Sequence, residues 1–140
     1  MRRARGEDLP IIEQLLREAS LPVDGVRSNL EHFFVTEQEG VAVGVIGLEV
    51  YGDTGLLRSL AVRSSERRQG LGSFLYRSLL QEARQIGIHH LLLLTTTAEK
   101  YFAARGFRRI AREKISGEVT RSVEFTGACP STAVCMELDL

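Results

Sequence analysis

Tryptophan is absent, and 140 residues contain only three prolines and two cysteines. Cys129 and Cys135 stand near the end of the chain with little Cys or His around them, so neither a disulfide framework nor a zinc site is implied, and two buried thiols are expected. No apolar run approaches the roughly 20 residues that a bilayer crossing needs, and the opening MRRARGED lacks the apolar stretch of a secretory signal. A cytoplasmic location without membrane association is the expectation. An excess of one charge is missing too: 18 basic residues cancel 18 acidic ones, which removes the broad basic field that attracts nucleic acid or an anionic membrane. Any anion site must therefore be local. What is present is a 44% hydrophobic, 26% charged chain without repeats or low-complexity tracts, the profile of a single domain spanning residues 1–140.

Arg2 to Arg5 reads as a short edge strand. Asp8 and Pro10 then signal a helix start ahead of Ile11, Ile12, Leu15, Leu16 and Ala19, with a stop near Ser20. A second short helix is expected around Val26 to Glu31. Phe33 to Glu37 and Val41 to Val50 flank Gln38-Glu39-Gly40 and suggest an antiparallel hairpin, and Leu56 to Val62 forms a further strand interrupted by Arg58 and Ser59. Leu71, Leu75, Leu79, Ala83 and Ile86 share one helical face that ends at Gly87. Ile88 to Leu94 reads as a central strand covered on both faces. Thr96 and Glu99 have the spacing of a capping box opening a helix to Arg105. Glu118 to Phe125 suggests a short helix, and the alternation from Thr132 to Leu140 a final strand.

The chemistry-bearing segment is Arg67-Arg68-Gln69-Gly70-Leu71-Gly72, lying between the strand and the long helix. A turn of this kind presents backbone N–H groups at a helix N-terminus, where unpaired donors and the helix dipole favour a phosphate or diphosphate. Gly70 and Gly72 let backbone approach a ligand, Arg67 and Arg68 add charge, and Ser73 adds a hydroxyl. There is no GxxxxGK[ST], and RRQGLG lacks the first glycine of GxGxxG, so the two better-known phosphate loops are excluded.

LLRSLAV, the R-x-x-G-x-G of RRQGLG, the helix, the apolar strand and AEKYFAARGF together resemble the GNAT superfamily of acetyl-CoA-dependent N-acetyltransferases over about Val41 to Phe107. That resemblance implies an α/β (α+β) fold with a mixed central sheet of about six or seven strands flanked by about four helices. It implies that Arg67, Arg68, Gln69, Gly70, Leu71, Gly72 and Ser73 hold the acetyl-CoA diphosphate, and that Leu60, Ala61 and Val62 pair with the pantetheine arm as an added strand. GLE-x-YG at Gly47 to Gly52, LLTTTAE-x-x-F at Leu93 to Phe102 and E-F-x-x-x-C-P at Glu124 to Pro130 are similar to the small ArsN-type acetyltransferases. Their implied acceptor is a free amino acid or a toxic analogue resembling glutamate, phosphinothricin or arsinothricin. Acetyl-CoA is the implied cosubstrate, without a metal, and a homodimer sharing the final strands is left open.

One departure from the commoner pattern concerns proton delivery, because Phe102 stands where many GNAT members place a tyrosine. Tyr101 is one place away, turned by about 100° on a helix, and is expected to point elsewhere while Phe102 covers the thioester. Glu49 is the preferred base, against the alternative of an exposed strand-end carboxylate; Glu124 is the second choice. Arg58 is the preferred anchor for a substrate carboxylate, because a guanidinium inside an apolar strand needs an anion; an internal salt bridge is the competing account. Tyr51 is expected to line the same pocket or to be a surface turn residue. Thr95, for the substrate, and Thr96, for the pantetheine, are candidate contacts, or simple helix caps. His89, His90 and His32 have no visible partner. No cysteine lies beside a histidine in the motif region, so direct transfer to the amine is expected. A protein or polyamine acceptor, or a non-catalytic acyl-CoA sensor, stands as the alternative function.

Overall fold

The expected hairpin forms from strands β2 (Phe33–Gln38) and β3 (Val41–Tyr51), paired antiparallel. β1 (Arg2–Arg3) pairs with the outer edge of β2, and β4 (Thr54–Val62) returns antiparallel on β3. Helix α1 (Leu9–Glu18) precedes β2, α2 (Leu71–Gln85) joins β4 to β5 (His90–Thr95), and the short α3 (Glu99–Ala103) leads to β6 (Arg108–Arg109), with β7 (Val134–Asp139) last. In this computed structural model, which describes every residue but Arg68, the seven strands build one sheet in the order β1-β2-β3-β4-β5-β7-β6. Only β4 and β5 run parallel, so the sheet is mixed, as expected.

Strand alternation sorts the apolar residues onto two faces. Phe34, Ile46, Leu48, Leu57, Leu91 and Leu93 pack against Leu75, Leu79 and Ala83 of α2 and against Phe102 and Phe107. Phe33, Val35, Val45 and Ala61 pack on the other face against Ile12, Leu15 and Leu16 of α1. Leu56 and Leu92 extend that second face toward Val119. The fully buried leucines each contribute about 2 kcal/mol through removal from water. β5 therefore has both faces covered, and this explains its unbroken leucine run.

Several elements differ from the sequence expectation. Val26 to Glu31 gives a 3-10 helix at Arg27–His32 rather than an α-helix. Glu118 to Phe125 gives a 3-10 turn at Glu118–Arg121 followed by a single wide turn, Glu124–Ala128, broken at Gly127. β5 begins at His90, since Ile88 is spent in the core. The Thr96–Glu99 capping box does not form: the Thr95 hydroxyl accepts the Ala98 N–H at 2.9 Å instead, leaving Thr96 exposed.

Two features of β4 set the surroundings of its C-terminal half. Its pairing with β5 stops after Thr54–Leu56 against His90–Leu92, so the two strands splay from Leu57 and Leu93 onward. It also holds one residue more than β3 opposite Val45–Gly47, because Ala61 pairs with Val45 and Arg58 with Gly47. Ser59 takes up this bulge with φ 64°, a left-handed conformation that costs a non-glycine residue about 1 kcal/mol. Bulges of this kind bend a strand and restore its facing pattern, and Arg58 and Ala61 consequently lie on the α1 side together.

Candidate active site

The splay opens a groove of about 650 Å³ between the unpaired halves of β4 and β5. Leu60, Ala61 and Val62 form one wall, and Leu93, Leu94 and Thr95 the facing one. Along Leu57 to Val62 the edge turned toward β5 has no strand partner, so an extended polar chain can add there by backbone hydrogen bonding. The groove ends at α2, where Gly70 caps the helix at φ 77° and its carbonyl accepts the Phe74 N–H at 3.0 Å. The N–H groups of Leu71, Gly72 and Ser73 belong to the first turn, which has no intrahelical acceptors for them. A Cβ on Gly72 would come no closer than 4.0 Å to Val62, and one on Gly70 would meet nothing. This leaves open space for an anion. Arg67 lines the same end, its Nε donating to the Val62 carbonyl at 3.1 Å.

Of the residues expected to hold a coenzyme, Leu60, Ala61, Val62 and Arg67 line this groove, as do Gly70, Leu71, Gly72, Ser73 and Phe102. Gln69 is exposed and spans Glu66 and Gln38, and Thr96 is also outside the groove lining. Arg68 lies outside the described residues. Thr95 lines the groove and caps α3 at once.

Tyr101 does not turn away as expected. Phe102 forms part of the floor, edge-on to Phe107 at 5.5 Å and to Tyr76 at 6.1 Å. Tyr101 forms the side wall, its hydroxyl 3.3 Å from Ser73 Oγ. The rotation between them is real, but the groove is wide enough to meet both. Tyr101 stays there because the Arg105 guanidinium stacks on its ring at 3.5 Å. Its hydroxyl thus sits at the α2 end of the groove.

Glu49, Arg58 and Tyr51 come together behind β4, on the α1 side. The Arg58 side chain is fully buried, and its Nη1 donates to Glu49 Oε2 at 2.7 Å. Its Nε lies 3.3 Å from Glu124 Oε2 and donates to Ser59 Oγ at 3.0 Å. Nη2 reaches the Pro22 carbonyl at 3.4 Å, and the guanidinium faces the Phe33 ring. Here the salt-bridge alternative describes Arg58 as it stands, rather than a free anchor. Glu49 is 1% exposed, so the strand-end surface carboxylate does not apply. Its second oxygen accepts the Tyr51 hydroxyl. Burial, then Glu49, pushes the Tyr51 hydroxyl up to about 12.

Glu124 is the residue most underestimated from sequence, where a solvated helix face competed with its role as base. It is 3% exposed. Burial lifts its carboxyl to about 7; Arg58 opposes the rise, Glu49 adds to it, and a hydrogen bond with Cys129 opposes it. Cys129 itself is pushed up to about 12, by burial first and then by Glu124. The one available hint was Glu124's place in E-F-x-x-x-C-P, and no periodicity marks it. His90 bonds Glu137 at 2.8 Å and His89 is exposed, so both are spent outside this site.

Residues 4–110 match the sequence model described as the acetyltransferase (GNAT) family. The chain belongs to this family. An amino-acid acetyltransferase from Mycobacterium tuberculosis is 32% identical over 131 residues, covering 85% of this chain and 74% of its own. One from Neisseria meningitidis serogroup A is 30% identical over 124 residues, but the 82% of this chain that aligns corresponds to 28% of that longer protein. The crystal structure of Rv2747 from Mycobacterium tuberculosis, in complex with CoA and NLQ, superposes with a TM-score of 0.82 at 27% identity, covering 99% of this chain and 98% of that one. Among the described residues, no helix is long and apolar enough to cross a membrane.

Proposed function

We propose that this GNAT chain transfers acetyl from acetyl-CoA to the amine of a small amino acid or amino-acid analogue. The observation that supports this most is the groove itself, an unpaired strand edge running into an open helix N-terminus. The diphosphate sits on the α2 amides, the pantetheine arm extends along Leu60 to Val62, and N–H groups of that edge polarise the thioester carbonyl. The relatives' description as amino-acid acetyltransferases supports the acceptor class.

Behind the bulge, two carboxylates share one guanidinium, so the buried cluster has room for one more positive charge. An acceptor that brings a carboxylate and an ammonium together matches it: its carboxylate exchanges with Glu124 on Arg58, and Glu124, in the ionised form it takes above about pH 7, accepts a proton from the ammonium. Of the two acids, Glu124 fits the base better than Glu49, because a base poised near neutrality is the more effective one. The neutral amine then attacks the acetyl carbon; the C–N bond forms, the C–S bond breaks, and the thiolate takes the proton left on nitrogen. Glutamate-like acceptors, phosphinothricin and arsinothricin among them, satisfy this pattern.

The test is thiol release from acetyl-CoA with glutamate, phosphinothricin, arsinothricin, polyamines and peptides as acceptors. Release with the amino acids, together with loss of the acidic limb of the pH–rate profile in Glu124→Gln, is expected. Release confined to polyamines or peptides would overturn the acceptor, and coenzyme binding without any release would point to an acyl-CoA sensor.

A further inference from the structure

Ser73 and Tyr101 line the groove, Arg105 stands beside them outside its lining, and the acetyl-transfer steps proposed above use none of the three side chains. Arg105 follows the end of α3, just before Gly106, and three contacts fix its guanidinium in place. Nη1 donates to the Tyr101 carbonyl at 3.0 Å, Nη2 donates to Ser73 Oγ at 2.9 Å, and the plane stacks on the Tyr101 ring. Tyr76 lies 5.8 Å away on the other helix. Among the described residues no carboxylate lies within 4 Å of this guanidinium, so its charge is not neutralised by a direct ion pair.

Its position is unusual for a simple tie between helices. Ser73 and Tyr101 both line the groove, from opposite lips, and Arg105 joins them. Because a guanidinium only donates, it occupies one lone pair of Ser73; with the Tyr101 hydroxyl donating to a second across 3.3 Å, the Ser73 hydrogen is left to a ligand oxygen. Ser73 is in the first turn of α2, beside the amides already assigned to a diphosphate. Arg67 contributes charge from the β4 lip, and nothing else described on the α3 lip does so.

We propose that Arg105 is a phosphate-binding and positioning residue for the coenzyme, completing the diphosphate cradle from the α3 lip. It supplies a pre-organised charge and directs the Ser73 hydroxyl hydrogen toward a diphosphate oxygen. The inference rests on the reading of the groove as the coenzyme site.

Calorimetric titration of the full chain with CoA, dephospho-CoA and pantetheine tests it, using wild type, Arg105→Gln and Arg105→Lys. Arg105→Gln is expected to weaken CoA and dephospho-CoA alike by about tenfold, as loss of a charged hydrogen bond does, with pantetheine unchanged. Arg105→Lys should recover part of the loss, and Arg105→Gln should flatten the salt dependence of CoA binding. Equal losses for all three ligands, or no loss for any, would overturn the assignment in favour of a structural tie. A loss seen with CoA but not dephospho-CoA would also overturn it, moving the contact to the 3′-phosphate. If wild type itself fails to bind CoA, it is the coenzyme site that falls, so the two failures are distinguishable.

Discussion

Glu124 makes the fold itself sensitive to pH in a range where few carboxyls titrate. Its folded-state value of about 7 stands well above the ordinary 4.5 because burial penalises the charged form more than Arg58 rewards it. A carboxyl raised in this way adds stability in full below its ordinary value, and that contribution disappears as pH rises through 7. The folded protein holds a proton that the unfolded chain has already released, and linkage converts the gap into roughly 2–3 kcal/mol lost between about pH 5 and pH 8. Asp8, held at about 2 chiefly by its hydrogen bond to Arg2, changes charge below this window. The hydrogen bonds from Arg109 to Glu99 and from His90 to Glu137 hold those carboxyls below their ordinary value, so they too lie below it. Urea unfolding of wild type and Glu124→Gln at both pH values isolates the effect, since every other titrating group is common to the two proteins. Wild type should lose roughly 2–3 kcal/mol relative to the variant on going from the lower pH to the higher, a midpoint shift of about 1 M. Parallel pH dependences in the two proteins would refute a proton on Glu124 and with it the role of this residue as base.

Two substitutions probe the frame and the groove separately. Gly72→Val places a branched side chain where only Val62 is near, so the thermal midpoint should barely move while CoA affinity falls at least tenfold by calorimetry. Gly47→Ala instead drives a Cβ to 2.4 Å from the Phe33 ring beneath Arg58, and denaturant unfolding should register a loss of about 2–3 kcal/mol.

Much of the fold was legible because its elements differ in local pattern. The β2–β3 hairpin shows its turn, α2 its apolar stripe, and β5 a leucine run flanked by turn signals; each element depends on its own residues and one neighbour. The places where the reading slipped are those where tertiary contacts override local preference. Thr95 took the capping role from Thr96 because β5 had to end at the groove. The tail after Val119 became irregular because Ser122 and Glu124 turn inward to meet Tyr51 and Arg58. The glycine-bearing turn at the start of α2 was equally legible, since its glycines and backbone donors lie within a few residues of each other.

The charged cluster behind β4 was legible only in part, for a physical reason. A guanidinium in the middle of LLRSLAV demands an acceptor, and the strand says so, but a substrate carboxylate and a protein carboxylate satisfy that demand equally well. Deciding between them requires knowing that Glu49 is carried across from β3 by the unbroken register that runs from the turn before Thr54 to Arg58, and that Glu124 arrives from an irregular tail. Once both are in place, Arg58 has one acceptor more than its single charge can neutralise, and below about pH 7 Glu124 absorbs the imbalance by holding a proton. In the proposed reaction, substrate anchor and internal salt bridge are two states of one site, with Glu124 as the group that moves between them. That exchange links recognition of the acceptor's carboxylate to deprotonation of its amine, and an acceptor lacking the carboxylate would leave Glu124 on Arg58 and its own amine charged.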